Sequence, residues 1–267
     1  MSSRARVVLV TGASSGIGAA AVSLLAERGF VVFGGSRNPP AVTPRVRHVA
    51  MDVRDEGSVR SAVSQVATEA GSVDALVCSA GFGIFGSVEE TSLERARAQF
   101  ETNVFGTLNA IRAVLPGMRE GGRGRIVVVG SLAGRAPVPF QAHYSASKAA
   151  LDALTLALRL EVRPFGIGVS LVEPGDIRTG FGEATDWGPP GESPYAGPLR
   201  SCETVIRESL PKAPGPEIVA RVIHRALTER RPRVRYTVGP DSRLVPLGRR
   251  LLPDFLSLEL IRSHFRV

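Results

Sequence analysis

The chain has 267 residues, 43% of them hydrophobic and 22% charged, and this globular composition excludes a disordered chain, a collagen-like repeat and a coiled coil. The formal net charge of +8 at pH 7 would suit a nucleic-acid partner, but the arginines are scattered and aromatic residues make up only 6%. We therefore expect no nucleic-acid binding, because an anionic cofactor accounts for a basic surface more simply.

Cysteine content and apolar runs bear on where the protein works. The only cysteines are Cys78 and Cys202, so the sequence offers neither a disulfide framework nor a zinc-ligand cluster, and we expect no metal site. No apolar run is long enough to span a bilayer, and the first residues lack the pattern of a signal peptide. We expect a protein of the cytoplasm.

Short β-branched runs alternate with longer amphipathic stretches along most of the chain. Strands are predicted at residues 7–10, 30–34, 46–51, 74–78, 125–129 and 168–172. Helices are predicted between them at residues 16–28, 55–70, 93–115 and 143–162, the third ending at Pro116-Gly117. Strands apolar on both faces and separated by helices indicate a doubly wound parallel sheet, here an α/β fold in a single domain over residues 1–267.

Proline and glycine become dense over residues 181–216. We predict a long substrate loop there, acting as a lid, because ligands of open α/β sheets bind beyond the carboxyl ends of the strands. A surface excursion without a role is the alternative. A helix is predicted at residues 217–229 and a short strand at residues 234–238.

The C-terminal tail, residues 239–267, is basic and apolar. One interpretation is a helix that lies on a membrane surface and delivers a lipophilic substrate. Pro246 and Pro253 would interrupt such a helix, so membrane association is the less favoured interpretation. We expect the tail to pack over the substrate cleft.

A glycine-rich turn lies between the first predicted strand and the first predicted helix, with the sequence Thr11-Gly12-Ala13-Ser14-Ser15-Gly16-Ile17-Gly18. Gly12 permits a tight turn, Gly16 lets a pyrophosphate approach the backbone, and Gly18 lets the helix pack close to the strand. Free N–H groups at the start of a helix favour phosphate. The turn therefore predicts a Rossmann-type dinucleotide site.

Tyr144 and Lys148 are four residues apart on a predicted helix, which puts both side chains on one face. A nearby cation stabilises a phenolate and lowers the pKa of the phenol, so such a tyrosine can exchange a proton with a ketone or alcohol oxygen near neutral pH. The chain has only three tyrosines and two lysines, which makes a chance pairing rarer. An exposed helical pair without a role is the alternative.

The spacing Gly-x-x-x-Gly-x-Gly after a threonine, together with Tyr-x-x-x-Lys, resembles the short-chain dehydrogenase/reductase family over about residues 7–181. The resemblance implies hydride transfer between a nicotinamide ring and a carbonyl carbon. It implies that Tyr144 protonates the reacting oxygen, Ser131 positions that oxygen, and Lys148 holds the nicotinamide ribose and tunes Tyr144. Asn103 matches the family's asparagine, which holds a water that connects the lysine to solvent.

The resemblance also implies the cofactor contacts. Ser36 and Arg37 follow the second strand where an acidic residue would select NAD, and an arginine there favours the 2′-phosphate of NADP. Asp52 and Val53 match an adenine-contacting pair, although Asp52 could equally cap the following helix. The expected cofactor-binding residues are Gly12, Ser14, Ser15, Gly16, Ile17, Gly18, Ser36, Arg37, Asp52, Val53, Ala80, Gly81, Tyr144, Lys148, Pro174, Gly175, Ile177 and Thr179.

One motif departs from the family pattern. The family's Asn-Asn-Ala-Gly is Cys78-Ser79-Ala80-Gly81 here. The family's asparagine at the position of Ser79 braces the sheet, and serine is shorter, so the departure bears on local stability rather than on the catalytic groups.

The segments expected to wall the substrate site are mainly apolar: residues 82–85, 136–143 and 181–216, with Phe140, Phe181, Trp187 and Tyr195. They suit a bulky hydrophobic ketone or alcohol, and the chain resembles the branch of the family that acts on steroids and retinoids. The helix at residues 143–162 is apolar on more than one face, so we expect a homo-oligomer. Two alternatives are a non-catalytic NADP-binding regulatory or scaffold protein and an epimerase or dehydratase of nucleotide sugars.

Overall fold

The computed structural model describes residues 5–39, 45–187, 193–242 and 244–267. Its strands are β1 (Val7–Thr11), β2 (Val31–Ser36), β3 (Val46–Ala50), β4 (Ala75–Cys78), β5 (Ile84–Phe85), β6 (Gly124–Val129), β7 (Ile167–Pro174), β8 (Asp186–Trp187) and β9 (Arg235–Val238). Its helices are α1 (Gly16–Glu27), α2 (Glu56–Ala70), α3 (Leu93–Phe100), α4 (Gly106–Glu120), α5 (Ala142–Glu161), α6 (Phe181–Ala184), α7 (Ala196–Ser209), α8 (Glu217–Thr228), α9 (Leu244–Leu251) and α10 (Asp254–Phe265).

Within the described residues the main sheet has seven strands in the order β3-β2-β1-β4-β6-β7-β9. Every neighbouring pair is parallel. The order reverses between β1 and β4, so the turns that follow these two strands diverge and leave a crevice. This is the doubly wound, Rossmann-type sheet that the sequence predicts.

Alternation along the strands builds a core on each face of the sheet. Val7 and Leu9 of β1 belong to the core that packs under α2, α4 and α5. Val8 and Val10 belong to the core that packs under α1 and α8. Because successive side chains of a strand point to opposite faces, a continuous apolar run is what a sheet covered on both sides requires.

The prediction of one helix over residues 93–115 is wrong in two respects. It is divided into α3, a π-helical turn (Glu101–Phe105) and α4, and α4 continues through Pro116 to Glu120. Proline lacks the N–H that would bond to the carbonyl four residues before it, which is that of Arg112 here. Arg112 and Pro116 are exposed, so solvent can bond to this carbonyl instead.

The prediction of a loop over residues 181–216 is also wrong for most of the residues described there, because they form α6, β8 and α7. Pro198 lies in the first turn of α7, and Pro216 is the N-cap of α8. First-turn positions need no backbone donor, so these prolines mark helix starts rather than irregular chain. Residues 188–192, which belong to the same prediction, lie outside the described residues.

The tail forms two helices that meet at Pro253. Pro246 lies in the first turn of α9 and does not interrupt it. Helix α10 packs against α7, so the tail lies over the cleft side of the molecule, as expected.

Candidate active site

A cleft of about 1000 Å³ is lined by residues that follow the carboxyl ends of β1, β2, β4, β6 and β7. All of the residues expected to contact a cofactor line this cleft, except Gly18. Of the four expected catalytic residues, Ser131, Tyr144 and Lys148 line it and Asn103 does not. The tertiary structure therefore brings together positions that are up to 167 residues apart in the chain, from Gly12 to Thr179.

Two glycines shape the turn after β1. Gly12 has φ +66°, and a Cβ atom at this position would lie 2.7 Å from the Cα atom of Ala80, too close for any other residue. A side chain on Gly18 would begin 2.1 Å from the carbonyl oxygen of Gly12. Gly18 thus acts through packing of α1 against the turn, which is why it does not reach the cleft.

The third glycine of the turn, Gly16, has φ +53° and stands next to Thr179, whose Cβ atom would lie 3.4 Å from a side chain at that position. The N-cap residue of α1, Ser15, makes no side-chain capping bond. The first N–H groups of the helix therefore face the cleft beside Thr179, in the arrangement that favours a phosphate.

The end of β2 presents a hydroxyl and a cation to the cleft. Ser36 is buried, and its hydroxyl has no hydrogen-bond partner among the described residues. Arg37, next to it, is exposed. A buried hydroxyl of this kind normally has a partner, so the geometry fits a polar ligand group at this point.

Asp52 is held by Arg54, a residue that the sequence analysis did not single out. Its carboxylate accepts bonds from Nε of Arg54 at 3.0 Å and from its terminal nitrogen at 2.6 Å. These bonds lower the pKa of Asp52, and the charge of Arg37 lowers it further. The alternative that Asp52 caps the next helix is wrong, because Asp55 caps α2 by accepting from the N–H of Gly57 at 2.8 Å.

The turn after β4 is fastened to β1 by a threonine. The hydroxyl oxygen of Thr11 accepts from the N–H groups of Ser79 and Ala80 at 3.0 and 3.1 Å. These bonds go to the backbone, so they hold the turn although residue 79 is a serine. Gly81 lies in front of Asn103 and Lys148. A Cβ atom at position 81 would lie 3.0 Å from Oδ1 of Asn103 and 3.8 Å from Nζ of Lys148.

Tyr144 and Ser131 both line the cleft, and a side-chain hydrogen bond from Ser131 acts on the pKa of Tyr144. Burial raises the pKa of Tyr144 to about 12, the bond from Ser131 opposes that rise, and the charge of Asp176 adds to it. The expectation that Lys148 lowers this pKa is therefore wrong for the structure described. The ammonium of Lys148 lies over the Tyr144 ring, 5.7 Å from its centroid.

Lys148 is 7% exposed, and its Nζ atom donates to the carbonyl oxygen of Val129 at 3.0 Å. Burial lowers its pKa to about 8, because a charged amine loses its hydration there. The ammonium is still the main form at pH 7.

Asn103 lies in the π-helical turn and is fully buried. Its side chain accepts from the N–H of Phe82 at 3.1 Å and donates to the carbonyl of Phe82 and to the hydroxyl of Ser147, both at 3.0 Å. It therefore braces the chain behind Gly81, one layer away from the cleft surface. A water relay through Asn103 stays a prediction.

The segment from Pro174 to Thr179 is anchored at both ends. Gly175 donates to the carbonyl of Val238 at 2.8 Å, and Arg178 donates to that of Pro214 at 2.9 Å. Phe181, which follows, packs its ring 5.4 Å from that of Tyr144. The segment thus ends beside Phe181, which lines the cleft next to Tyr144.

The remaining part of the cleft has mainly apolar walls. The ring centroid of Trp187 lies 4.8 Å from that of Phe85, and the guanidinium carbon of Arg207 lies over the Trp187 ring, 4.8 Å from its centroid. The indole N–H of Trp187 donates to the carbonyl of Gly182 at 2.7 Å. The other lining residues of this part include Phe82, Ala136, Pro137, Val138, Phe181, Val205, Ile206, Leu210, Val245, Leu260, Ile261, His264 and Phe265.

Some expected wall residues lie elsewhere. Phe85 is buried below the surface, and Phe140 and Tyr195 are not among the described residues that line the cleft. The hydroxyl of Tyr195 instead bonds to Glu89 at 2.5 Å. The sequence predicts that the tail covers the cleft but not which of its residues line it.

Comparison with known proteins places this geometry in a family. Residues 6–187 match the family model described as short chain dehydrogenase. The chain is 45% identical over 176 residues to the 3-ketodihydrosphingosine reductase of Bacteroides thetaiotaomicron, covering 66% of this chain and 65% of that protein, slightly less than two thirds of its length. It is 35% identical to the 17-beta-hydroxysteroid dehydrogenase type 1 of Mus musculus, covering 93% of this chain and 77% of that protein.

Solved structures agree with the fold. A short-chain dehydrogenase from Streptomyces avermitilis superposes with a TM-score of 0.84 at 34% identity, covering 100% of this chain and 98% of the other. A short-chain dehydrogenase from Burkholderia cenocepacia in complex with NADP gives a TM-score of 0.75 at 28% identity, covering 96% and 97%. Within the ranges that the structure describes, no helix combines the length and apolar character needed to cross a bilayer.

Proposed function

The chain belongs to the short-chain dehydrogenase family, and on that premise we propose that it interconverts a ketone and a secondary alcohol by hydride transfer with NADP(H) on a bulky hydrophobic substrate. The chain is an oxidoreductase, as its relatives are. The observation that carries the proposal is that Ser131, Tyr144 and Lys148 line one cleft, with the ammonium of Lys148 over the ring of Tyr144.

Tyr144 acts as the acid when the carbonyl is reduced. Its pKa of about 12 keeps the phenol protonated at neutral pH, so a proton is available at its hydroxyl oxygen for the oxygen of the substrate. Ser131 donates a second hydrogen bond to the same substrate oxygen and fixes its position. In the reverse direction, Tyr144 takes up the proton of the alcohol.

Lys148 supports this step from behind the ring. Its ammonium is fixed by the carbonyl of Val129, at the end of the strand that precedes Ser131. We expect Lys148 to hold the nicotinamide ribose, the role that the family resemblance implies, because burial and not this ammonium sets the pKa of Tyr144.

The cleft fits a dinucleotide. The unpartnered hydroxyl of Ser36, the uncapped N-terminus of α1 and the glycine backbone supply donors where a ribose phosphate and a pyrophosphate require them. The residues that would hold it are the lining residues named above, with Lys148 at the nicotinamide ribose. When bound, a nicotinamide dinucleotide supplies or accepts the hydride.

NADP is favoured over NAD. The turn after β2 carries Arg37 and no acidic side chain, and Arg54 adds a second cation on the same side of the cleft, partly neutralised by Asp52. A guanidinium binds a 2′-phosphate through paired charge-assisted bonds. The complex of the Burkholderia cenocepacia relative with NADP supports this choice.

The substrate is a large apolar carbonyl or alcohol. Trp187, Phe181 and the apolar side chains of α7 and α10 provide a wall long enough for a ring system or an alkyl chain. The two named relatives point to a 3-keto sphingoid base and to a steroid, and both classes meet this requirement.

A homo-oligomer is part of the proposal. Helix α5 exposes a stripe of small apolar side chains and one leucine, spaced so that they share one face. They are Ala146, Ala149, Ala153, Ala157 and Leu160, and Leu160 is 71% exposed. A flat apolar face of this kind suits close packing against a second copy, which sedimentation equilibrium would detect as a dimer or tetramer.

The decisive experiment replaces Tyr144 with Phe. NADPH affinity is measured by fluorescence, and turnover is measured on a panel containing a 3-keto sphingoid base, a 17-ketosteroid and small aromatic ketones. We expect turnover to fall by about 10²- to 10⁴-fold, the usual contribution of an acid–base group, while NADPH still binds. Tyr195→Phe is the matched control and should keep full turnover. Residual activity within about tenfold of wild type in Tyr144→Phe would disprove the assignment.

A further inference from the structure

A buried ion pair lies directly behind the turn that carries Ser131. Glu173, the residue before the last of β7, is 1% exposed. Its two carboxylate oxygens accept from Nε and a terminal nitrogen of Arg135 at 2.7 and 2.8 Å. Two parallel bonds of this kind fix the guanidinium and the carboxylate in both distance and orientation.

Arg135 is connected to Ser131 by a short hydrogen-bonded turn. Residues Leu132–Gly134 form a 3₁₀ turn in which Gly134 donates to the carbonyl of Ser131 at 3.1 Å and Arg135 donates to that of Leu132 at 2.9 Å. The hydroxyl of Ser131 also accepts from the N–H of Ala133 at 3.1 Å. These three bonds link Arg135 to Ser131 through a single 3₁₀ turn.

The same turn rests on the helix of the catalytic tyrosine. A side chain on Gly134 would begin 2.9 Å from the carbonyl carbon of Lys148, so the turn and α5 are in backbone contact. On its other side, Arg235 of β9 donates a hydrogen bond to Glu173 at 3.2 Å and forms an ion pair with Asp152 of α5. One charge network therefore joins the Ser131 turn, the helix of Tyr144 and Lys148, and the strand that ends at Pro174.

Neither Arg135 nor Glu173 is among the described residues that line the cleft, so neither contacts the substrate or the cofactor. Burying an ion pair is also an expensive way to gain stability, since Glu173 loses its hydration and Arg135, whose side chain is 24% exposed, loses much of its own. What the pair supplies is a defined geometry between β7 and the Ser131 turn.

We propose that Arg135 and Glu173 are positioning residues that hold the Ser131 hydroxyl against Tyr144. The inference rests on the proposed function, because Ser131 must act in the reaction for its position to matter. Loss of the pair frees the turn, and the hydroxyl then spends only part of its time in the bonded position.

The test is a double-mutant cycle with Arg135→Met, Ser131→Ala and the combined variant, assayed in the direction of alcohol oxidation. Arg135→Met should lower kcat by about tenfold, leave the Kd of NADPH within about twofold and move the pH profile toward higher pH, as Ser131→Ala does. In the Ser131→Ala background, adding Arg135→Met should lower kcat by no more than about twofold, because the hydroxyl that Arg135 positions is gone. An equal loss of kcat in both backgrounds, or a rise of the NADPH Kd in step with that loss, would overturn the inference.

Arg135→Met leaves Glu173 without its main partner and can impair folding. The pair Arg135→Met/Glu173→Met removes both charges, keeps Arg235 on Asp152, and should show the same loss of kcat and the same shift of the pH profile. Arg225→Met, which removes an exposed pair with Glu229, is the control and should change neither. If Tyr144→Phe remains active, the proposed function fails; if Tyr144→Phe is inactive while the pair variant keeps wild-type kcat and pH profile, only this inference fails.

Discussion

The ammonium nitrogen of Lys148 lies 3.0 Å from the carbonyl oxygen of Val129, the last residue of the strand that leads to Ser131. This bond ties the helix of Tyr144 to the strand that leads to Ser131. It also gives a buried charge its partner, although burial still lowers the pKa of Lys148 to about 8.

That lowered pKa predicts how stability depends on pH. The unfolded chain keeps Lys148 protonated up to the ordinary lysine range near 10.5, whereas the folded chain releases the proton from about pH 8. Between these values the unfolded state binds more protons, so the contribution of Lys148 to the free energy of unfolding rises with pH. We expect wild type to gain thermal stability relative to Lys148→Met between pH 7 and pH 9.5. Lys212→Met, at the chain's other lysine, is exposed and should show no such trend; a constant difference in Tm between wild type and Lys148→Met would contradict the prediction.

Ser131→Ala should move the pH profile of alcohol oxidation. The bond from Ser131 lowers the pKa of Tyr144, so its removal raises that pKa further. The oxidising direction requires the phenolate, and its rising limb should shift to higher pH with a lower rate at pH 8. Steady-state kcat measured from pH 6 to 10 checks this. Ser170→Ala, at a buried serine that bonds to Arg233, should leave the limb in place; a shift to lower pH in Ser131→Ala would refute the assignment.

Arg37→Gln should separate the two nicotinamide cofactors. A charge-assisted bond to the 2′-phosphate is worth about 1.5–3 kcal/mol, so NADPH affinity should fall by roughly 10- to 100-fold. NADH affinity should not change, because NADH lacks that phosphate. Fluorescence titration of both cofactors provides the measurement, and Arg60→Gln on the exposed side of α2 is the control. Tighter binding of NADH than of NADPH by wild type would reverse the inference.

Ile261→Ser with Phe265→Ser should affect only large substrates. Both side chains line the part of the cleft that α10 covers, so their loss removes apolar contact with the distal end of the substrate. We expect KM for a sphingoid or steroid substrate to rise about tenfold or more, with little change for a small aromatic ketone. Leu258→Ser, on the same helix but 51% exposed, is the control. An equal rise of KM for both substrate sizes would show that the tail acts on the whole fold instead.

Several features follow from local rules that the sequence obeys. The strands of the main sheet are short, apolar and β-branched, and the glycine turn requires backbone conformations that only glycine adopts easily. These patterns are enough to predict the order of most elements and the line of residues along the cofactor cleft. The spacing of Tyr144 and Lys148 likewise follows from one helix alone.

Proline does not mark irregular chain at three positions where the sequence pattern indicates it. At Pro116, Pro198 and Pro246 the chain is helical, because a first-turn or solvent-exposed position tolerates a missing donor. The sequence predicts the tail over the cleft but not which residues of α10 line it, because the contact of α10 with α7 joins segments that lie about fifty residues apart.

The sequence by itself determined the sheet, the glycine turn and the pairing of a phenol with an amine, since each depends on neighbours within a few residues. Only the tertiary structure decided how these groups behave. Burial sets the pKa of Tyr144 near 12 and that of Lys148 near 8, and Glu173 meets Arg135 across 38 positions of chain. Desolvation and long-range contacts depend on what the folded chain packs around a group, and no local pattern contains that information.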